Sequence, residues 1–416
     1  MTVLALPDSP HQELLPAPTS APRRRVDAID VARGLLMCVI TVGHGLILLN
    51  DSESNKWLGL LITKVTNLGT PGFTMISGML LGYFESTYSH FQRIRWKYFI
   101  RGIQLLTLAH LLISLATYPL RQETSLIEVY LRYWYITDAL AVLFMLLPTL
   151  VPRLDRPARI VIGITCLLSW KLFSFFPSIT SPILLVIKEF TFGVSLRDNP
   201  LLGDTYPIVP LAGLFMIGTV LGNSFARSIV SETLGQFVRT LRRSIVPLIL
   251  LSGFLVGLWA AGKFFSEGLF GNTLKTLFYP EKLSSLLPFY IGVLFLILAY
   301  FVRKIEMEKN FGRFEKALAL FGKTSLFTYV VQYFLVQTIP ALIGWRNQLN
   351  IAEWTLYLGG TFMILFYLAR IYNDSFLKGW NRSGKAKRRP SEMKRKKALT
   401  SPDISPELLN LKKDLW

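Results

Sequence analysis

The chain has 416 residues, of which 51% are apolar and 17% are charged, and its 45 Lys and Arg against 26 Asp and Glu give a net charge of +19. A soluble chain of this length carries about 25% charged residues, so the composition excludes a soluble enzyme and a disordered or collagen-like chain. The apolar residues form continuous blocks of about 20, the length of a membrane-spanning helix, which differs from the alternating pattern of a β-barrel strand. We therefore predict an all-α, polytopic membrane protein.

The apolar blocks predict about ten transmembrane helices. They cover residues 29–49, 58–84, 98–118, 128–151, 160–176, 206–225, 245–264, 286–302, 318–340 and 354–376. The segment 182–195 is apolar but short, and Lys188 and Glu189 interrupt it, which is typical of a re-entrant or interfacial piece. Residues 1–24 and 378–416 are a Pro-rich tail and a polybasic tail. Their composition predicts disorder on either side of one transmembrane domain, residues 25–377.

The basic residues indicate how the bundle is oriented. They concentrate in every second connection, near residues 23–25, 93–101, 153–159, 227–243 and 303–316, and in the C-terminal tail. The positive-inside rule assigns these connections, and both termini, to the cytoplasmic side of an inner or plasma membrane. The positive charge then reflects orientation and contact with anionic lipids, and no nucleic-acid partner is expected.

Cys38 and Cys166 lie far apart in apolar runs with neither disulfide nor metal spacing, so no metal is expected.

The first helix carries ionisable residues on a single stripe. Asp30, Arg33 and His44 fall within an arc of about 60° on a helix, and the stripe climbs about 21 Å from Asp30 to His44. Charged groups inside a membrane are costly and usually have a partner or a function. Histidine is suited to abstract a proton near neutral pH, so His44 is the candidate catalytic base, and Asp30 and Arg33 shape the approach to it. An interhelical hydrogen bond by His44 and a structural Asp30–Arg33 ion pair are the alternatives.

The second and third predicted spans add two further features. Residues 69–78 hold a proline and several small residues, which membranes tolerate beside a cavity or a packed neighbour. Ser77 in this stretch is therefore a candidate substrate contact, and close helix packing is the alternative. Arg93, Lys97 and Arg101 share one helix face and are candidates to bind the phosphates of coenzyme A. Positive-inside charge is the alternative explanation of these three residues.

Polar residues also occur in the fourth span and before the sixth. Asp138 is an intramembrane acid, and Asp204 and Tyr206 lie in a Pro-rich segment that opens the sixth span. All three are further candidate contacts for the substrate. Within the sixth span, Gly218 and Gly222 have the GxxxG spacing that is typical of close helix packing.

In this order, the motifs resemble those of the transmembrane acyltransferase superfamily. They are the Asp30-Val-Ala-Arg33-Gly34 opening with a later histidine, the small-residue stretch 71–78, the segment 204–213 and the late stretch 321–329. The superfamily includes type-three O-acyltransferases, glucan-succinylating relatives and bacterial homologues of heparan-α-glucosaminide N-acetyltransferase. The segment 204–213 is most similar to that last branch. One departure is Gln332, which stands in a region where this group often has a histidine.

The resemblance implies acyl transfer from a cytosolic acyl-CoA, with acetyl-CoA expected, to a hydroxyl or amino group of a glycan or lipid-linked sugar across the membrane. By position, His44 takes the role of the superfamily's histidine, as base or acyl carrier, and Asp30 and Arg33 take the roles of the motif acid and base. From the residues alone, a transporter or flippase of a glycan or lipid intermediate stays open, as does a non-catalytic membrane partner. Membrane lipids are the other expected partners, and the sequence leaves a homodimer open.

Overall fold

The computed structural model describes residues 26–50, 53–88, 91–121, 125–173, 181–193, 206–264 and 285–377. The α-helices in these ranges are α1 (Asp27–Gly45), α2 (Glu53–Thr66), α3 (Gly69–Thr87), α4 (Phe91–Gln104), α5 (His110–Thr117), α6 (Leu126–Arg132), α7 (Ile136–Leu150), α8 (Arg156–Phe173), α9 (Pro182–Phe192), α10 (Ile208–Val230), α11 (Leu234–Phe264), α12 (Leu287–Phe301), α13 (Arg313–Lys323), α14 (Ser325–Tyr333), α15 (Ile339–Leu342) and α16 (Ile351–Tyr372). Wider π-helical turns continue several of them, at Leu105–Ala109, Val302–Met307, Phe334–Thr338 and Asn373–Leu377. The predicted tails, residues 1–24 and 378–416, lie outside the described ranges.

Eight helical segments of the described chain are long and apolar enough to cross a membrane. They are Asp27–Leu48, Phe91–Leu120, Ile136–Arg153, Ile208–Val230, Leu234–Phe264, Leu287–Met307, Ser325–Leu342 and Ile351–Ser375. Each coincides with one of the ten predicted spans. The other two predicted spans correspond to α2 together with α3, which is rich in Gly, Thr and Ser, and to α8, which carries Arg156, Arg159 and Lys171. The protein is thus an all-α, polytopic membrane bundle, as the sequence predicts.

Helices α3 and α10 pack closely against each other in the core. A Cβ on Gly78 would collide with the carbonyl oxygen of Phe215, and a Cβ on Gly222 would collide with the carbonyl oxygen of Met79. Only glycine lets the two backbones come this close, and the close approach replaces lipid contacts with backbone contacts. The prediction that the Gly218–Gly222 pair packs helices is confirmed, because Gly218 lies against Met75 in the same way.

Residues 58–84 form two helices, whereas the sequence analysis predicted one span. The first helix ends at Thr66 and the second begins at Gly69. Pro71, in the first turn of α3, has no N–H for the carbonyl four residues earlier, so a continuous helix would lose a hydrogen bond there. The two helices have different surroundings: Trp57 in α2 is 79% exposed, whereas most of α3 is buried.

The predicted span 318–340 is also interrupted. Thr324 has a non-helical backbone (φ −106°, ψ 18°) and separates α13 from α14. The first of these helices is amphipathic, since Leu318 is buried in the core and Phe314 is 65% exposed. The spanning segment therefore begins at Ser325, and α13 is a separate element beside it.

One further span differs from the predicted pattern. The span predicted at 128–151 divides into α6 and α7, because the Asp138 carboxyl accepts the backbone N–H of Tyr135 at 2.8 Å and starts a new helix there. The segment predicted as re-entrant or interfacial, 182–195, contains the helix α9, in which Lys188 and Glu189 are buried. Residues 194–195 lie outside the described ranges.

Candidate functional site

A cavity of about 510 Å³ lies inside the bundle between α1, α3, α4, α7 and α14. Asp30 and Ile40 both contribute to its wall. Ten residues of a helix rise about 15 Å, so the cavity follows α1 for about that distance. Much of the remaining wall is apolar, with Phe73, Leu105 and Phe144 among its members. The first helix therefore borders an internal void, which the polar stripe of the sequence predicts.

Three cationic side chains stand on the wall near the Asp27 end of α1. They are Arg33, Arg101 and Lys323, and they come from three different helices or helix ends. Arg33 and Arg101 both lie close enough to Tyr98 to act on it electrostatically. Lys323 donates to the Asp27 carboxyl at 3.3 Å. Two of these cations pair with the carboxyls of Asp27 and Asp30, so this end of the cavity keeps an excess of one positive charge, which suits an anionic ligand such as a phosphate.

The predicted Asp30–Arg33 ion pair is present, and it belongs to a close junction between α1 and α13. The Arg33 guanidinium lies 3.6 Å from the Asp30 carboxyl, and its Nε donates to the carbonyl oxygen of Gly322 at 2.7 Å. A Cβ on Gly322 would collide with the Asp30 carbonyl oxygen. Asp30 is only 4% exposed. The pair therefore fixes the direction of the Arg33 side chain at the wall of the cavity.

At the far end of the cavity, two tyrosine hydroxyls lead from the wall to His44. Tyr329 lines the cavity, and its hydroxyl lies 3.1 Å from the hydroxyl of Tyr333. The Tyr333 hydroxyl in turn lies 3.5 Å from Nε2 of His44, and the two rings are 4.7 Å apart at their centroids. Among the described residues, those that form the wall do not include His44 itself. Its link to the cavity is therefore this pair of hydroxyls.

The backbone around His44 is held firmly. The imidazole belongs to the last turn of α1, and the indole Nε1 of Trp354 donates to the Gly45 carbonyl at 2.8 Å. A Cβ on Gly43 would come within 2.9 Å of Thr66, so α2 packs against the same turn. These contacts fix where the imidazole lies relative to the tyrosines of α14.

A second histidine lies close to the same aromatic residues. His110 follows the π-helical turn Leu105–Ala109, a kind of turn that is frequent at functional sites, and its Nδ1 lies 2.7 Å from the Asp138 carboxyl. Its Nε2 lies 2.8 Å from the carbonyl oxygen of Tyr130. Both members of the pair are buried. Asp138 was predicted as a substrate contact, and the structure places it against His110, behind the wall that its neighbour Thr137 helps to form.

The other predicted residues have different positions relative to the cavity. Ser77 is on the wall, where its hydroxyl donates to the carbonyl of its own helix at 2.8 Å. Arg93 and Lys97 are exposed and belong to turns of α4 that precede the wall residues, so the predicted face is divided and only Arg101 reaches the cavity. Tyr206 packs against the core cluster that contains the site tyrosines. Asp204 lies outside the described residues.

Several residues of the site were not singled out by the sequence analysis. They are Lys323, Tyr329, Tyr333, His110 and Thr137. The stretch 321–329 contains two of them and was noted only for its resemblance, while a second histidine inside a span is a signal for His110.

Within the described ranges, no group of three or more His, Cys, Asp or Glu side chains is placed to hold a metal ion. Cys38 and Cys166 are both free thiols.

Comparison with known proteins agrees with this architecture. The model of the acyltransferase-3 family, described as an acyltransferase domain, matches residues 26–370. No curated protein gives a significant match, and no solved structure does. The matched region contains every residue of the cavity wall except Tyr372. The chain therefore belongs to the acyltransferase-3 family of membrane acyltransferases.

Proposed function

We propose that this protein transfers an acyl group from a cytosolic acyl-CoA to a hydroxyl or amino group of a glycan or lipid-linked sugar on the opposite side of the membrane. Acetyl is the acyl group that we expect, from the resemblance to the heparan-α-glucosaminide N-acetyltransferase branch. The Asp27 end of α1 faces the cytoplasm in this proposal, because the connections on that side carry most of the basic residues.

The observation that carries the proposal is the difference between the two ends of the cavity. One end holds Arg33, Arg101 and Lys323, and the other end holds Tyr329, whose hydroxyl leads to His44 through Tyr333. An acyl-CoA has phosphates towards one end and a thioester at the other, so it matches a cavity with cations at one end and a proton acceptor near the other. The apolar wall between the two ends suits the uncharged middle of such a donor.

The chemistry assigns His44 the role of general base. The acceptor's oxygen or nitrogen attacks the thioester carbonyl carbon, and its proton passes to Nε2 of His44 through the hydroxyls of Tyr329 and Tyr333. The carbon–sulfur bond then breaks, and coenzyme A leaves as a thiolate that takes up a proton. Arg33 and Asp30 keep the donor's charged end in place, because their ion pair fixes the guanidinium at the wall.

The direct test is acyl transfer by the purified protein in liposomes. We would supply radiolabelled acetyl-CoA and longer acyl-CoA donors, with a glycan extract and lipid-linked sugars as acceptors. The wild type should transfer label, and His44→Ala should lower the rate at least about 100-fold, the scale of general-base catalysis. Equal rates for the two proteins would remove His44 from catalysis, and the absence of transfer from every donor would contradict the proposal.

The donor site has its own test, which uses binding and needs no acceptor. Arg101→Gln and Lys323→Gln should each weaken acyl-CoA binding about tenfold, because each removes one charge-assisted contact to a phosphate. Arg239→Gln is the matched control, since Arg239 is an exposed residue of α11 whose side chain donates to the Gly235 carbonyl. If all three variants bind acyl-CoA like the wild type, the cationic end of the cavity is not the donor site.

A further inference from the structure

Thr137 is the second residue of α7, and it is part of the cavity wall that also includes Tyr329. It is only 4% exposed, and its hydroxyl oxygen has no hydrogen-bond partner among the described residues. Buried threonines elsewhere in the bundle donate to a carbonyl of the preceding helical turn, as Thr74 does to Thr70 at 2.9 Å and Thr117 does to Ile113 at 3.0 Å.

Thr137 has no such turn before it, because its helix begins at Ile136. A buried hydroxyl without a partner is costly, and this one stands where an internal void could admit a ligand. The observation therefore indicates a ligand with a hydrogen-bonding group beside Thr137.

The first turn of α7 adds further donors at the same place. The backbone N–H groups of Ile136 and Thr137 have no earlier carbonyl of their own helix to bond, and they carry the positive end of the helix dipole. The acid of this turn, Asp138, accepts the N–H of Tyr135 at 2.8 Å and lies 2.7 Å from His110. His110 and Tyr135 both engage Oδ2 of this carboxyl, and its Oδ1 has no hydrogen-bond partner among the described residues, so the carboxyl does not occupy the donors of Ile136 and Thr137.

We propose that the Thr137 hydroxyl and the first turn of α7 hold the carbonyl oxygen of the acyl thioester. This inference rests on the proposed function, and it specifies where the reacting carbonyl lies. Tyr329 shares the wall with Thr137 and lies on the path to His44. The carbonyl carbon is thus placed between donors for its oxygen and the route by which a proton reaches the base.

In the transfer step, the acceptor's oxygen or nitrogen forms a bond to the carbonyl carbon, and the π electron pair moves onto the carbonyl oxygen. Thr137 and the N–H groups stabilise that negative charge by hydrogen bonds and keep their own protons. The acceptor's proton goes to His44. When the electron pair returns, the carbon–sulfur bond breaks and coenzyme A departs as a thiolate, which is then protonated.

The test compares Thr137→Val, which keeps the shape and removes the hydroxyl, with Thr137→Ser, which keeps the hydroxyl. Thr137→Val should lower kcat about 100-fold to 1,000-fold, the effect of removing one oxyanion donor, with the KM for the donor changed by no more than about twofold. Thr137→Ser should stay within about tenfold of the wild type. Thr74→Val is the matched control, since Thr74 is a buried threonine outside the cavity wall, and it should retain the wild-type kcat.

A second measurement needs no turnover. The infrared stretch of a ¹³C-labelled thioester carbonyl should lie at a lower frequency when bound to the wild type or Thr137→Ser than when bound to Thr137→Val. Equal frequencies, or a Thr137→Val kcat within about threefold of the wild type, would overturn this inference and leave the proposed function intact. Failure of the wild type to transfer from any acyl-CoA would instead overturn the proposed function.

Discussion

His110 and Asp138 form a buried pair in which Nδ1 of the imidazole lies 2.7 Å from the carboxyl Oδ2, while Nε2 faces the Tyr130 carbonyl at 2.8 Å. A carbonyl oxygen only accepts, so Nε2 carries a hydrogen, and the contact with Asp138 holds a second proton. The ring of His110 lies 5.4 Å from that of Tyr135, and Tyr135 lies 6.5 Å from Tyr333. The pair therefore supports the aromatic residues that surround His44 and the start of α7.

We expect the His110–Asp138 pair to be important for stability. His110→Ala leaves a fully buried carboxyl without its partner, which costs about 3–5 kcal/mol for a buried pair. The measurement is the midpoint of thermal unfolding of the detergent-solubilised protein. Glu308→Ala is the control, because its ion pair with Arg303 is about half exposed and should contribute less than about 1 kcal/mol. A His110→Ala midpoint as high as that of Glu308→Ala would contradict the expectation.

The Tyr333 hydroxyl should matter for catalysis and little for folding. Tyr333→Phe removes the hydroxyl that bridges the Tyr329 hydroxyl and Nε2 of His44. We expect kcat to fall about tenfold to 100-fold, which is less than the loss expected when the general base itself is removed. Tyr357→Phe, which removes a hydroxyl that donates to the Leu335 carbonyl outside the cavity wall, should keep its kcat. Equal activities of the two variants would show that the proton does not use Tyr333.

The glycine contacts between α3 and α10 predict that the effect of a glycine substitution on stability depends strongly on its position. Gly222→Leu forces a side chain into the Met79 carbonyl, and overpacking of this kind costs about 1–3 kcal/mol or more. Gly257→Leu is the matched control, because no atom lies within 4 Å of a Cβ at that position, and it should change stability by less than about 0.5 kcal/mol. Thermal unfolding in the same detergent compares the two. Equal midpoints would mean that α3 and α10 do not pack as described.

Acid should destabilise the junction between α13 and the turn after α12. The Lys304 ammonium donates to Glu315 and, as the largest cause, holds the pKa of that carboxyl below its ordinary value of 4.5. A carboxyl with a depressed pKa contributes stability above its ordinary pKa, and the contribution is lost as the pH falls through the folded-state pKa. Glu315→Gln should therefore flatten the fall of the unfolding midpoint below about pH 4.5. Parallel curves for wild type and Glu315→Gln would contradict this expectation.

The apolar runs predict most of the spanning segments correctly because the requirement they meet is local. A helix that crosses a bilayer must satisfy its own backbone and be apolar over about 20 residues, and both properties are visible in one stretch of chain. The predicted spans fail where a side chain or a proline offers the backbone another arrangement. Pro71 ends one run in this way, and the bond from the Tyr135 N–H to Asp138 divides another.

The same distinction between local and long-range information applies to the residues of the candidate site. The sequence by itself determined the polar stripe of Asp30, Arg33 and His44, since helical periodicity fixes which side chains share a face. The tertiary structure alone decided what lies opposite that stripe: Tyr333 meets His44 across 289 positions, and Arg33 reaches Gly322 across the same separation. It also left Arg93 and Lys97 outside the cavity wall and paired Asp138 with His110. Such partners come from the packing of distant helices, and no local pattern in the chain encodes which distant residue arrives.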